Sequence, residues 1–313
     1  MPSHLLLANP VAGRGLGAKR LKTARHRLDA AGTDYDVHVT QAPNEARTIA
    51  REAAERYELI VALGGDGTVQ EVAGGLAEAR LAAPVPHPAS FAGLGVLPAG
   101  TGNDLVKSLG FPGDFDRALD TLLAGRRRDL DLGRVRWRLA GDPVPRERVF
   151  VNNVGLGFEA QVAWEAYRSR LPLRGTALYL AALMRALGRL ACPVLRLRLP
   201  DGREDYGPRL LVSAGNGHTV GVGVEAEAGA DPFDGLLDLC VVGPHTRRQV
   251  LRLFPRVLKG AHLSLPGVWT HRARSVDVTG DAPFHAHADG EPLGADVTHI
   301  HLEILPGLLP VVC

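Results

Sequence analysis

The sequence predicts an α/β protein of two domains, a parallel sheet flanked by helices and then a mostly antiparallel β domain. Three observations predict it. Up to about residue 128, apolar strand-like runs alternate with helical patterns in βαβα order, which places helices on both faces of a parallel sheet. Three of the strand-to-helix junctions carry glycine-rich loops. After about Arg128 short runs of alternating polarity take over, as in antiparallel strands with one buried face. The domains are therefore expected at 1–128 and 129–313, with the C-terminal strand free to return to the first. A chain of 313 residues is long enough to bury a core in each.

Element by element, residues 4–8 form an apolar strand, and NPVAGRGLG is a turn-rich loop. Residues 18–31 read as a basic helix that Gly32 ends. Residues 35–40 alternate as a second strand, and 44–56 form a helix. Residues 59–63 are a third strand, followed by a helix over 68–79. Residues 94–98 are a fourth, followed by AGTGND and another helix. In such a sheet ligands gather at the carboxyl ends of the strands, where the three glycine loops lie. The second domain shows strands at 134–139, 149–154, 194–199, 209–213, 236–242, 275–279 and 299–305, with helical insertions near 160–190 and 245–260. APVPHP, 83–88, reads as a surface loop.

Composition is that of an ordinary soluble protein, 45% hydrophobic and 22% charged. Cys192, Cys240 and Cys313 form no CxxC pair, which suits a reducing cytosol. MPSHLLLANP lacks the pattern of a signal peptide, and the most apolar helical stretch, 177–184, is too short to span a bilayer. A cytoplasmic protein is expected. Net charge is only +2, yet residues 166–200 carry seven arginines and no acid, and 239–276 carry six arginines, Lys259 and no acid. That asymmetry suits either an anionic partner or solvated helix faces. Nucleic acid is disfavoured, because aromatics make up 5% of the chain and do not interleave with the basic residues.

Four clusters carry chemistry: NPVAGRG (9–15), GGDGTVQE (64–71), LPAGTGND (97–104), and DPFDGLLD (231–238) with HADGE (287–291). Glycine loops between strand and helix cradle phosphate with backbone amides, so Asp66 in the second loop needs explaining. Thr68-x-x-Glu71 fits a capping box, and Asn103 with Asp104 fits a helix cap. Capping does not account for the glycines around an aspartate, repeated at one end of one sheet. There is no GxxxxGK[ST], GxSxG or HExxH. GLGFEA (155–160) matches GxGxxA, but the charges that follow up to Asp201 are largely basic, against a dinucleotide site. His285 and His287 fall on one face of a strand and read as solvent-facing rather than as metal ligands.

GGDGTVQEVAGGL, LPAGTGNDLVKSLG and DGLLDL…DGEPL, in this order, closely resemble the diacylglycerol kinase and sphingosine kinase superfamily in its short bacterial lipid-kinase form. The likeness covers nearly the whole chain. It implies a Rossmann-like nucleotide-binding domain and a β-sandwich-like domain, with the active site in the cleft. It implies phosphoryl transfer from ATP, with Mg²⁺ (Mg2+), to a hydroxyl of a diacylglycerol-like or sphingoid lipid. Asn9, Pro10, Val11, Ala12 and Gly13, with Gly65, Asp66, Gly67, Thr68, Val69, Gln70 and Glu71, resemble the loops that hold ATP phosphates. Thr40 and Thr101 match nucleotide contacts. Glu291 matches the catalytic base, and Asp66, Asp104 and Asp131 match acids of a Mg²⁺-linked network. Asp231, Asp234 and the carbonyl of Leu236 match a structural Mg²⁺ site. The GNGHTVGVGVEAEAG segment lacks the family's Gly-Gly-Gly run. On this reading the protein is peripheral at an anionic membrane surface, and a homodimer is allowed for. Two alternatives stay open: a soluble-substrate kinase of the NAD-kinase type, and a catalytically idle nucleotide-binding regulator.

Overall fold

The computed structural model describes residues 2–83, 91–110, 114–173, 175–217, 229–257 and 267–313. Most of APVPHP, most of GNGHTVGVGVEAEAG and the stretch from 258 to 266 lie outside them. The chain divides into two units, Met1–Leu132 with Pro306–Cys313, and Gly133–Leu305.

The first unit alternates β1 (His4–Ala8), α1 (Ala12–Ala30), β2 (Tyr35–Val39), α2 (Glu45–Ala53), β3 (Leu59–Gly64), α3 (Asp66–Ala82) and β4 (Gly93–Pro98), then α4 (Asp104–Ser108), α5 (Phe115–Ala124) and the start of β5 (Arg127–Leu139). β1 pairs with β2 and with β3, and β3 pairs with β4, all in parallel. Val311 near the chain end pairs in parallel with Leu94 of β4. β3 and β4 are buried at every residue, as expected of a parallel sheet covered on both faces. That is why LIVALG is a continuous apolar run and not an alternating one. Strand order reverses at β1, which has β2 on one side and β3 on the other. The loops after β1 and β3 therefore flank the switch point where open α/β sheets bind ligands.

The second unit holds most of β5, β6 (Arg146–Phe150), β7 (Asn153–Gly157), α6 (Phe158–Tyr167), α7 (Thr176–Gly188), β8 (Val194–Arg198), β9 (Glu204–Pro208), β10 (Leu211–Gly215), β11 (Leu237–Val242), α8 (Arg247–Val257), β12 (Val268–Ala273), β13 (Ser275–Ala288) and much of β14 (Glu291–Val312). Antiparallel pairing runs β12-β11-β10-β7-β13-β14. β11 shows the period of two directly. Leu237, Leu239 and Val241 enter one core with Phe150, Leu156 and Ile300, while Cys240 and Val242 enter another with Phe158, Leu183 and Leu187. The second core seats α6 and α7 on the sheet.

The structure differs from the sequence reading in several places. The first unit extends to Leu132 and reclaims Pro306–Cys313. β13 and β14 are far longer than 275–279 and 299–305. The breaker-like residues around Gly280 form a shift of register within a continuing strand, and Pro306 and Pro310 fall inside β14. α3 begins at Asp66 with Gly65 as its cap and no side-chain cap bond, so the capping box is not formed. Glu71 instead accepts the Asn44 N–H at 3.0 Å. Asn103 caps α4 by position, but its side chain makes no cap bond.

Candidate active site

At the carboxyl end of the first sheet the chain turns sharply after each of three strands. Asn9, just past β1, donates from Nδ2 to the Thr68 hydroxyl at 3.2 Å and accepts the Val11 N–H on Oδ1 at 3.2 Å. It thus ties the first loop to the start of α3. Gly13 has φ 56°, the left-handed region that glycine occupies without steric cost. A Cβ there would lie 2.2 Å from the Ala99 carbonyl oxygen. The loop after β1 is thereby packed on the loop after β4. The β3 and β4 loops meet the same way, since a Cβ on Gly100 would lie 2.6 Å from the Gly65 Cα. Ala99 N–H donates to the Gly64 carbonyl at 2.6 Å. Three glycine loops therefore pack backbone against backbone at the switch point. A phosphate chain meeting such a surface finds main-chain amides and the unbonded first-turn amides of a helix.

Asp66 is the first residue of α3, and its carboxylate accepts the Asp104 N–H at 2.6 Å and the Asn103 N–H at 2.9 Å. It ties GGDGT to GTGND, a role that neither loop displays alone. Asn103 stands at φ 53°, and its amide both accepts from Gly100 N–H and donates to the Gly100 carbonyl, each at 3.1 Å. Asp104 is buried with the Lys107 ammonium at 3.6 Å. Asp66 and Asp104 both face Gly102, so two carboxylates share this corner.

The other nucleotide candidates are more scattered. Val11 and Thr101 are exposed, as is Gly67, whereas Thr68 and Val69 are buried and would meet a ligand only through their backbone. Thr40 follows β2, and its N–H and hydroxyl both donate to the Ala8 carbonyl, at 2.9 and 3.3 Å. Glu71 faces Asn44. Asp131 is buried, and one of its oxygens accepts the Gly307 N–H at 2.6 Å, which helps anchor the returning chain end.

In the second unit β13 and β14 are joined by Asp289-Gly290, with Ala288 paired to Glu291. Both turn residues have positive φ, 50° and 80°, the type I′ hairpin turn that Asp-Gly favours. The Asp289 carboxylate accepts N–H groups from Val151, Asn152 and Asn153 at 2.8, 2.8 and 3.1 Å. Burial pushes its carboxyl above the ordinary value, against the pull of those amides and of Arg148. The turn projects Glu291, whose side chain is 52% exposed, to an ion pair with Arg148 at 2.5 Å. Sequence reading missed Arg148, because its position opposite Glu291 depends on the pairing of distant strands. His287 is buried rather than solvent-facing, because β13 pairs with β7 there. His285 packs its ring against Trp164.

Asp231 and Asp234 lie in the turn before β11. Asp231 accepts the Phe233 N–H at 3.2 Å, Asp234 the Leu236 N–H at 3.0 Å, and Asp234 also pairs with Arg272. Asp238 approaches Arg272 at 3.4 Å. Burial, with the charge of Asp231, pushes its carboxyl up to about 6. Its Oδ2 is buried without a hydrogen-bond partner among the described residues. Two carboxylates on one guanidinium, with the charge of Asp231 acting on Asp238, leave surplus negative charge, a chemistry that fits a divalent cation. Among the described residues no three His, Cys, Asp or Glu side chains converge to hold a metal unaided. A cation would draw on backbone oxygen such as the Leu236 carbonyl.

The diacylglycerol kinase catalytic domain matches residues 3–135, and the YegS C-terminal NAD kinase beta sandwich-like domain matches residues 152–313. A relative named diacylglycerol kinase, from Mycobacterium tuberculosis, is 33% identical over 300 residues, covering 94% of this chain and 91% of its own. The chain belongs to the diacylglycerol kinase family. Its members are kinases, that is, phosphotransferases. A solved diacylglycerol kinase from Bacillus anthracis shares the fold, with a TM-score of 0.72 at 22% identity over 99% of this chain and 96% of that one. The fold extends more distantly to a yeast NADH kinase, with a TM-score of 0.54 at 12% identity over 99% of this chain and 83% of that one. The diacylglycerol kinase match fits the parallel first sheet and the β-sandwich-like second unit.

Proposed function

We propose that the protein transfers the γ-phosphoryl group of ATP to a hydroxyl of a diacylglycerol-like or sphingoid lipid. The observation that carries the reading is the packing of three glycine loops around Asp66, in a chain whose relatives are named diacylglycerol kinase. Phosphoryl transfer is mostly positioning and charge neutralisation. Main-chain amides of the loops would hold the donor phosphates. Glu291 would take the proton of the acceptor hydroxyl as its oxygen bonds to phosphorus and the bond to ADP breaks. Carboxylates beside phosphate are unfavourable unless a cation bridges them, so Asp66 and Asp104 fit Mg²⁺. When bound, the ion would supply charge neutralisation at the phosphates. Purified protein given radiolabelled ATP and a total lipid extract should yield a labelled lipid, identified by mass spectrometry. A parallel reaction with NAD tests the second reading, which the likeness to the NADH kinase favours. Label in NADP and none in lipid would replace the lipid reading.

Asp231, Asp234 and the Leu236 carbonyl are proposed to hold a structural Mg²⁺. Any ion that binds only the folded state stabilises it by mass action. The melting temperature should rise with Mg²⁺ in the wild type and rise much less in Asp234→Ala. Equal rises in the two proteins would remove this assignment.

The lipid is proposed to be met at an anionic membrane surface. Among the described residues no helix is long and apolar enough to cross a membrane. Ala182, Leu183, Ala186 and Leu187 of α7 are packed in the second core, while Leu180 and Met184 are 50% and 51% exposed. Arg168 and Arg185, and Arg248 and Arg252 of α8, are exposed as well. Each basic residue near an anionic surface is worth about 1 kcal/mol, screened within a Debye length. Sedimentation with vesicles containing phosphatidylserine should therefore fall steeply between low and physiological salt, and neutral vesicles should bind little. Arg248→Glu with Arg252→Glu should weaken it without changing ATP affinity. Arg247 is left in place because it donates to the Gly188 carbonyl at the end of α7. Binding indifferent to salt and lipid charge would exclude this surface.

A further inference from the structure

We propose that His287 and Glu159 are positioning residues for Glu291, acting through the backbone amide of Gly290. The inference rests on the reading of Glu291 as the base. His287 lies on β13, just before the Asp-Gly turn, and its side chain is only 3% exposed. Gly290 N–H donates to its Nδ1 at 3.1 Å. A ring nitrogen that accepts a hydrogen bond holds no proton, so the imidazole proton sits on Nε2. Nε2 faces the Glu159 carboxylate at 3.1 Å. The second nitrogen thus fixes the tautomer that the first one needs.

Glu159, on the first turn of α6, is itself held in place. Asn153 Nδ2 donates to the same carboxylate oxygen at 2.8 Å. Burial alone would raise the Glu159 carboxyl, but hydrogen bonds from His287, Asn153 and Ser213 pull it down. Glu159 is therefore a fixed hydrogen-bond acceptor for Nε2. Gly155 on the neighbouring strand makes room for the pair, since a Cβ there would lie 2.4 Å from His287 Nε2 and 2.5 Å from Glu159 Cδ.

The pair has a direct effect on the turn. Asp289 N–H donates to the Asn153 carbonyl at 2.8 Å, and Gly290 N–H donates to His287. Both amides ahead of Glu291 are therefore fixed, the second by a side chain anchored on a buried carboxylate. Burying a carboxylate and an imidazole is a weak way to gain stability, because desolvation offsets the attraction. It is an effective way to lock a rotamer and hold a backbone angle. A general base gains from that, because displacement of about 1 Å costs about 10²-fold in rate.

Two substitutions at His287 separate positioning from packing. An asparagine oxygen can replace Nδ1 and keep the Gly290 bond, whereas a glutamine amide replaces Nε2 and loses it. His287→Gln should lower kcat by about 10- to 10²-fold with the KM for ATP unchanged, and His287→Asn should keep most of the rate. In a Glu291→Gln background His287→Gln should add no further loss, because it acts through Glu291. Wild-type kcat in His287→Gln, equal losses in both variants, or an additional loss in the Glu291→Gln background would each overturn the proposal. Hydrogen exchange at the Gly290 amide is read on the same proteins without any turnover. It should quicken in His287→Gln and stay slow in His287→Asn, and the reverse overturns the pairing whatever the reaction is. If Glu291→Gln alone turns over at the wild-type rate, the base reading fails while the exchange result still stands. Should His287→Gln not fold, the near-isosteric Glu159→Gln is measured instead. Faster Gly290 exchange and lower kcat support the proposal, and wild-type values of both overturn it.

Discussion

Glu291→Gln is expected to fold, to bind ATP with wild-type affinity and to lose phosphoryl transfer by about 10²-fold or more, the contribution of a positioned general base. The structure explains why folding should survive. Glu291 is half exposed, and the turn that presents it is held by Asp289 and Gly290 rather than by its own side chain. Glutamine keeps the volume and still offers an oxygen to Arg148. Exposed ion pairs contribute about 0–1 kcal/mol, so the melting temperature should move little. Measured together, kcat, ATP affinity and melting temperature separate a lost base from a damaged fold. Turnover near that of the wild type would take Glu291 out of the chemistry.

Asp66→Asn should do two things at once. The substitution turns one acceptor oxygen into an NH2 group, which must then face a backbone N–H of Asn103 or Asp104. A buried donor left without its acceptor costs about 1–3 kcal/mol, so the melting temperature should fall. Removing the charge should also raise the Mg²⁺ concentration needed for half-maximal rate, by about 10- to 100-fold if the carboxylate orients or holds the ion. The Mg²⁺ titration decides between the two roles. A lower melting temperature with an unchanged Mg²⁺ requirement would leave Asp66 as the tie between two loops and nothing more.

Several features were legible because they are local. The apolar runs at β1, β3 and β4, each followed by a glycine loop and a helical pattern, are sufficient to read a parallel sheet and a ligand-binding edge. Alternating polarity is sufficient to read the second unit as antiparallel. The sequence order GGDGT, GTGND and DGE carries the family. Local reading went wrong where a local rule competed with a distant partner. Thr68 and Glu71 satisfy the capping-box spacing, but Asn9 and Asn44, from other loops, take their side chains. The strands expected at 275–279 and 299–305 instead run on through 280–283 and Pro306, as β13 and β14.

What the sequence by itself determined is the periodicity, the turn chemistry and the inventory of acids, bases and glycines. These depend on neighbours within a few residues, so they can be read without coordinates. Only the tertiary structure decided which groups meet. Asp66 reaches the amides of Asn103 and Asp104 because β3 and β4 are adjacent. His287 meets Glu159 because β13 lies beside β7, whose glycine leaves the space. A hydrogen bond depends on separations of about 3 Å, and residues far apart in the chain reach that separation only when the sheet is assembled.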